Sequence, residues 1–140
     1  MDIGTLYTES VTLLKQLIAI PSLSREEDGT ASLLCKFLGE QGIAHSRAGN
    51  NVWALNKYFN PALPSILLNS HHDTVKPNAE YTRDPFDPVV AEGKLFGLGS
   101  NDAGGCLVGL AAAFRYFYEQ QHLKYNLVFA ATAEEEISGL

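Results

Sequence analysis

Apolar residues recur through residues 6–18 at mostly helical spacing, at Leu6, Leu13, Leu14, Leu17 and Ile18. They predict an amphipathic helix that runs until Ile20-Pro21-Ser22 breaks it. A second helix is expected at once: Ser24 and Glu27 have the Ser-x-x-Glu spacing of a capping box, and Ala31, Leu34 and Leu38 form a stripe that fades near Gly39 and Gly42. The texture then changes to short extended runs. Residues 43–48 and 52–57 flank Gly49-Asn50-Asn51 as the arms of a hairpin. Residues 65–70, with Ile66, Leu67 and Leu68 consecutive, read as an inner strand covered on both faces. Residues 76–88 are loop, and residues 89–91 and 95–97 form a small hairpin around Glu92-Gly93-Lys94. A glycine-rich turn at residues 99–105 opens a helix along Leu107, Leu110, Ala111 and Phe114, and residues 127–131 make a second buried strand. Without repeats or linkers, this order predicts one α/β unit, a mixed central sheet flanked by helices.

Composition narrows the class. At 140 residues and 46% apolar, the chain suits one domain with a real core. Ten basic against 16 acidic residues give a formal charge of -6, which argues against a nucleic-acid or membrane-surface role, since both need a basic face. Carboxylates can instead gather around a cation. Cys35 and Cys106 fall in helical patterns as core thiols, with no disulfide expected, no leader pattern follows Met1, and no apolar run approaches a membrane span. A reducing cytoplasm is the expected compartment.

Three polar clusters follow extended segments, where open α/β sheets bind ligands. In the first, Ser70-His71-His72-Asp73-Thr74-Val75, an extended backbone turns His71 and Asp73 to one side and His72 to the other. A metal-bound imidazole held by a carboxylate needs that pairing, whereas two surface histidines beside a turn aspartate need nothing more. The second cluster, residues 97–105, has Asp102 where a dinucleotide fingerprint has its third glycine, so a phosphate site is disfavoured. Asp102 either caps the following helix or bridges two cations. In the third, Glu134, Glu135 and Glu136 gather like charge at a strand end, which suits either a helix N-terminus or a cation. One His, one Asp and one Glu with a further Glu uncoordinated are the parts of a carboxylate-rich zinc site with a general base. No Ser or Cys stands in a nucleophile elbow.

Along essentially its whole length the sequence resembles the dinuclear zinc amidohydrolases and exopeptidases. The resemblance rests on four motifs in order: the stretch from Leu17 through Ile20-Pro21-Ser22 to Glu27, His71-x-Asp73-x-Val75, Gly97-x-Gly99-x-x-Asp102, and the Glu134-Glu135-Glu136 triplet. Within the family the last two motifs look most similar to acetylornithine deacetylase-like enzymes of arginine biosynthesis. The resemblance implies that His71 binds one zinc, Asp102 bridges two, and Glu136 binds the second. Glu135 would be the general base, Asp73 would hold the His71 imidazole, Glu134 would have no direct catalytic role, and His72 would fill a variable position. It also implies a cis peptide after Asp102. Leu98 and Gly104 depart from the Arg and Lys that many members carry there.

The implied activity is hydrolysis of the amide bond of an N-acyl amino acid, with zinc or cobalt as metal and a homodimer as the intact assembly. A dipeptidase or succinyl-diaminopimelate desuccinylase of the same family is the alternative within enzymes, and a non-catalytic binding or scaffold fragment the alternative outside them. Family members are several hundred residues long and place further ligands after the acidic motif. The expectation for this chain is therefore an N-terminal part of one catalytic domain, with weak metal binding and little activity by itself.

Overall fold

The computed structural model describes residues 2–137, so residues 1 and 138–140 lie outside the described residues. Helix α1, Ile3–Ile18, starts where the Asp2 carboxylate accepts the Thr5 N–H at 3.1 Å, and it buries Leu6, Leu13, Leu17 and Ile18 as their spacing predicts. Helix α2, Asp28–Glu40, buries Thr30, Ala31, Leu34 and Leu38. Its start corrects the capping-box expectation. No side chain caps it: the helix starts at Asp28 with Glu27 at the N-cap position, three residues later than the Ser24 box requires, while the Ser24 hydroxyl donates to Asp73 at 2.7 Å and the Glu27 side chain turns inward.

The strands are β1 (His45–Ala48), β2 (Asn51–Leu55), β3 (Ser65–His71), β4 (Val89–Ala91), β5 (Lys94–Phe96) and β6 (Asn126–Thr132). Four of them form a sheet in the order β1-β2-β6-β3, antiparallel except for the parallel pair β3 and β6, while β4 and β5 make a separate hairpin. The expected mixed sheet is present, and helix α3, Cys106–Phe117, packs against it and against α1. The core lies between helices and sheet, with Phe114 fully buried at ring-centroid distances of 5.7 Å from Tyr118 and 5.8 Å from Phe129.

Two expectations fail on burial. β6 is the inner strand, but β3 pairs only with β6 among the described residues, and Ile66 and Leu67 are 44% and 61% exposed. Three consecutive apolar residues carry no alternation, so they suit any strand, whether one face is covered or two. Cys106, expected as a core thiol, is exposed at the start of α3, and Cys35 is half-buried. The α3 stripe of Leu107, Val108, Ala111 and Phe114 leaves Cys106 off its buried face. Register does the positioning: parallel pairing sets His71 opposite Thr132, so β3 and β6 deliver the first and third polar clusters to one edge of the sheet.

Candidate metal centre

The backbone stays paired one residue past β3, where the His72 N–H donates to the Thr132 carbonyl at 3.0 Å. Side chains then separate to opposite sides as alternation predicts. His72 points into the fold: its Nε2–H donates to the Asn50 carbonyl at 2.9 Å, and its Nδ1 accepts from the Thr30 hydroxyl at 2.8 Å. Burial depresses its pKa, which keeps the ring neutral although the Asn50 carbonyl and nearby carboxylates pull the other way. With both nitrogens engaged, His72 has a structural task, and the surface-histidine reading fails for it.

His71 faces the other side. Its Nδ1 lies 3.1 Å from the Asp73 carbonyl and 3.4 Å from Asp73 Oδ1, and its Nε2 lies 3.1 Å from Asp102 Oδ1 and 3.7 Å from Glu135 Oε2. Asp73 therefore holds the imidazole through its backbone as well as its side chain. The carboxylate itself is fully buried and has shorter contacts, accepting the Ser24 hydroxyl at 2.7 Å, the Glu136 N–H at 3.0 Å and the Glu135 N–H at 3.2 Å. Burial would raise the Asp73 pKa, but the Ser24 hydroxyl, the two amides and His71 together bring it below the usual value.

Asp102 is not a helix cap. Residues Ser100–Gly105 form a π-type turn with non-helical φ/ψ at Asp102 and Ala103, the peptide between them is cis as the resemblance implies, and α3 begins after it. Gly104 is required by close approach, since a Cβ there would lie 2.6 Å from both the Gly99 carbonyl oxygen and Leu14 Cδ1. That contact gives a physical reason for glycine at this position, where the resemblance leads to an expectation of lysine.

After β6 the chain kinks at Glu134, with φ of 62°, into a single 3-10 turn at Glu135–Ile137. The amide of Glu134 donates to Glu27 Oε1 at 3.1 Å, completing a row in which three consecutive N–H groups of the acidic triplet are held by two buried carboxylates. Ser24 and Glu27 are the residues the sequence reading misassigned. Their spacing matched a local cap, and nothing in the sequence marks partners some fifty and a hundred residues away.

One ligand atom each from His71, Asp102 and Glu136 lie within 4.8 Å of one another, with the Glu135 carboxylate alongside. The electrostatics favour a cation there. Burial lowers the His71 pKa, but the Asp73 carbonyl, Asp102 and the surrounding carboxylates outweigh it and raise the net value. Glu136 is raised by burial and by Asp102. An imidazole drawn towards its charged form and a carboxyl drawn towards its neutral form mark a cluster lacking positive charge. An N/O donor set rich in carboxylate fits zinc or another borderline-to-hard divalent ion, and the residues present fit such an ion. Beside them a cleft of about 290 Å³ is lined by Thr74, Tyr81, Leu98, Ser100, Asp102 and Glu136, among others. Among the described residues no helix is long and apolar enough to cross a membrane.

The model of peptidase family M20/M25/M40 matches residues 67–140, the stretch that contains all five candidate residues. A succinyl-diaminopimelate desuccinylase of Buchnera aphidicola is 33% identical over 141 residues, covering 95% of this chain and 36% of that protein. The desuccinylase of Methylobacterium nodulans is 33% identical over 136 residues, covering 90% and 34% respectively. The chain thus spans about a third of the length of these curated relatives. Among solved structures, an M20 family metallo-carboxypeptidase of Sulfolobus solfataricus superposes with a TM-score of 0.75 at 23% identity, covering 100% of this chain and 32% of that one. A dinuclear metal binding M20 peptidase of Bacillus subtilis gives 0.70 at 21% identity, covering 99% and 38%. At these identities the structures speak for the fold.

Proposed function

Because the chain belongs to peptidase family M20/M25/M40, we propose that it supplies His71, Asp102, Glu135, Glu136 and Asp73 to the catalytic site of a zinc-dependent hydrolase. The substrate is an N-acyl amino acid, cleaved at its amide bond in the cytoplasm. The observation that carries this reading is the convergence of His71, Asp102 and Glu136 within 4.8 Å from three separate segments. His71 and Glu136 would each hold one zinc and Asp102 would bridge the two, with cobalt as an alternative ion. Bound there, the metal pair would supply Lewis acidity towards the acyl carbonyl and the attacking water.

The chain's own groups divide the remaining work. Asp73 accepts the Nδ1 proton of His71 through its carbonyl, which fixes the tautomer and presents Nε2 to the cleft. Glu135, 60% exposed, stands with an oxygen 3.7 Å from that nitrogen and is free to take a proton from water and pass it to the leaving amine. Glu134 contributes its backbone, its side chain lying 3.6 Å from exposed Arg25.

The greater length of the relatives supports reading these residues as part of a site that a longer polypeptide completes; a homodimer as the assembly of that polypeptide rests on the family resemblance. The desuccinylase names of the curated relatives favour a succinyl over an acetyl group, so the reading shifts from acetylornithine towards an N-succinyl diamino acid. The longer protein carrying this chain is to be assayed on N-succinyl-diaminopimelate, acetylornithine and simple dipeptides. The expected result is release of an acyl group, and Glu135→Gln is expected to lower kcat by roughly 10²–10⁴-fold while zinc stays bound. Hydrolysis of dipeptides alone would refute the N-acyl assignment. Zinc calorimetry on the 140-residue chain tests the scaffold alternative: binding equal in the parent, His71→Ala and Glu136→Ala defeats the metal site.

A further inference from the structure

We infer that Glu27 is a positioning residue for the acidic pair of the site: its buried carboxylate fixes the backbone at Glu134 and so aims Glu135 and Glu136 at His71 and Asp102. This rests on the roles proposed above for Glu135 and Glu136. Glu27 is fully buried, and burying a carboxylate is costly unless hydrogen bonds replace its hydration. Three N–H donors do so: Arg25 N and Glu134 N at 2.8 and 3.1 Å on Oε1, and the Asn50 amide at 2.8 Å on Oε2. They come from the loop before α2, the turn between β1 and β2, and the end of β6. The first two are near in space to α2 and would satisfy a carboxylate serving only that corner of the fold. The third reaches the residue immediately before the proposed base.

Glu134 is where such a hold matters. Its φ of 62° lies in the left-handed region that disfavours a residue with a Cβ, and this kink converts the extended end of β6 into the turn carrying Glu135 and Glu136. The Asp73 carboxylate holds the two amides on the far side of the kink, and Glu27 holds the amide at the kink itself. The Arg25 ion pair with Glu134, at 3.6 Å between groups 61% and 39% exposed, is too solvated to replace it. Site groups need placing to within about half an ångström, so a loosened kink misplaces both carboxylates together.

Glu27→Gln keeps the volume and loses one acceptor. In the longer protein it is expected to weaken zinc binding about tenfold, the usual cost of removing a group behind a ligand. It should also shift the visible spectrum of the cobalt-loaded form and lower kcat at unchanged KM. Phe114→Leu, in the core away from this network, serves as the comparison matched in lost thermal stability and should leave spectrum and zinc affinity as in the parent. Where Glu27→Gln does not fold, Glu27→Asp keeps the charge, withdraws the oxygens by one methylene and gives the same spectral change. A parental spectrum and zinc affinity in the folded Glu27 variant, or the same changes in Phe114→Leu, overturns the inference. Hydrogen exchange in the 140-residue chain separates the layers: the Glu134 amide should exchange faster in the Glu27 variant whether or not metal binds. Equal exchange rates refute the hold, whereas a longer protein that binds neither zinc nor cobalt refutes the proposed site.

Discussion

Asp73→Asn is the sharpest perturbation of the site's frame, because it is nearly isosteric and leaves the sheet, helices and candidate ligands in place. The Asp73 carboxylate accepts one hydroxyl and two amides at 2.7–3.2 Å and touches His71 at 3.4 Å. An asparagine offers one acceptor oxygen, and its NH2 group must face a donor. At least one N–H or O–H then lacks a partner, costing about 1–3 kcal/mol, and each remaining bond loses about 1 kcal/mol on passing from a charged to a neutral acceptor. The Glu135 and Glu136 amides are only partly buried, and water relieves some of this. A loss of about 3 kcal/mol is expected, a large share of the roughly 5–15 kcal/mol typical of a domain. Urea denaturation of the 140-residue chain reads it as a lowered midpoint at unchanged slope. With a slope of about 2 kcal/mol/M the midpoint falls by about 1.5 M. A loss below about 1 kcal/mol, the worth of one ordinary hydrogen bond, would mean that Asp73 does not organise the turn and would refute the reasoning.

Two further substitutions test the fold on either side of the site. Phe114→Ala empties a fully buried position packed against Tyr118 and Phe129, and equilibrium unfolding should show about 3–5 kcal/mol lost. Leu67→Lys changes the most exposed apolar residue of β3, and in this chain its stability should stay within about 0.5 kcal/mol of the parent; a loss like that of Phe114→Ala would restore the two-faced strand.

Much of the frame was legible in the sequence because it is written in local period. The helices at Leu6 to Ile18 and Ala31 to Leu38 follow from spacing, and the paired delivery of His71 and Glu134 to one edge follows from two apolar strands ending in polar clusters. What was not legible depends on partners distant in sequence. Ile66 and Leu67 look buried until the pairing order makes β3 an edge among the described residues. Ser24 and Glu27 look like a helix cap until Asp73 and Glu134 arrive from elsewhere. Alternation turns His72 away from His71, but not towards any named partner; Thr30 and Asn50, which take both its nitrogens, become visible only in the fold. Local rules assign these residues to the nearest use, and tertiary contacts offer a stronger one.

The same contacts explain how a fold with excess acid tolerates so many carboxylates in one place. Glu27 and Asp73 are fully buried, and the fold directs six donors at them: four backbone amides, the Ser24 hydroxyl and the Asn50 amide. Asp102 and Glu135 are 76% and 60% exposed, and their only close polar partner among the described residues is His71. Backbone donors are therefore concentrated behind the site, and the acceptors facing the cleft keep open lone pairs. A cluster evolved only to cap helices would do the reverse, placing amides on the outer carboxylates and leaving none buried. Donors behind and acceptors in front form a cradle that is hydrogen-bonded on the protein side and unsatisfied on the solvent side, an arrangement that fits a divalent cation.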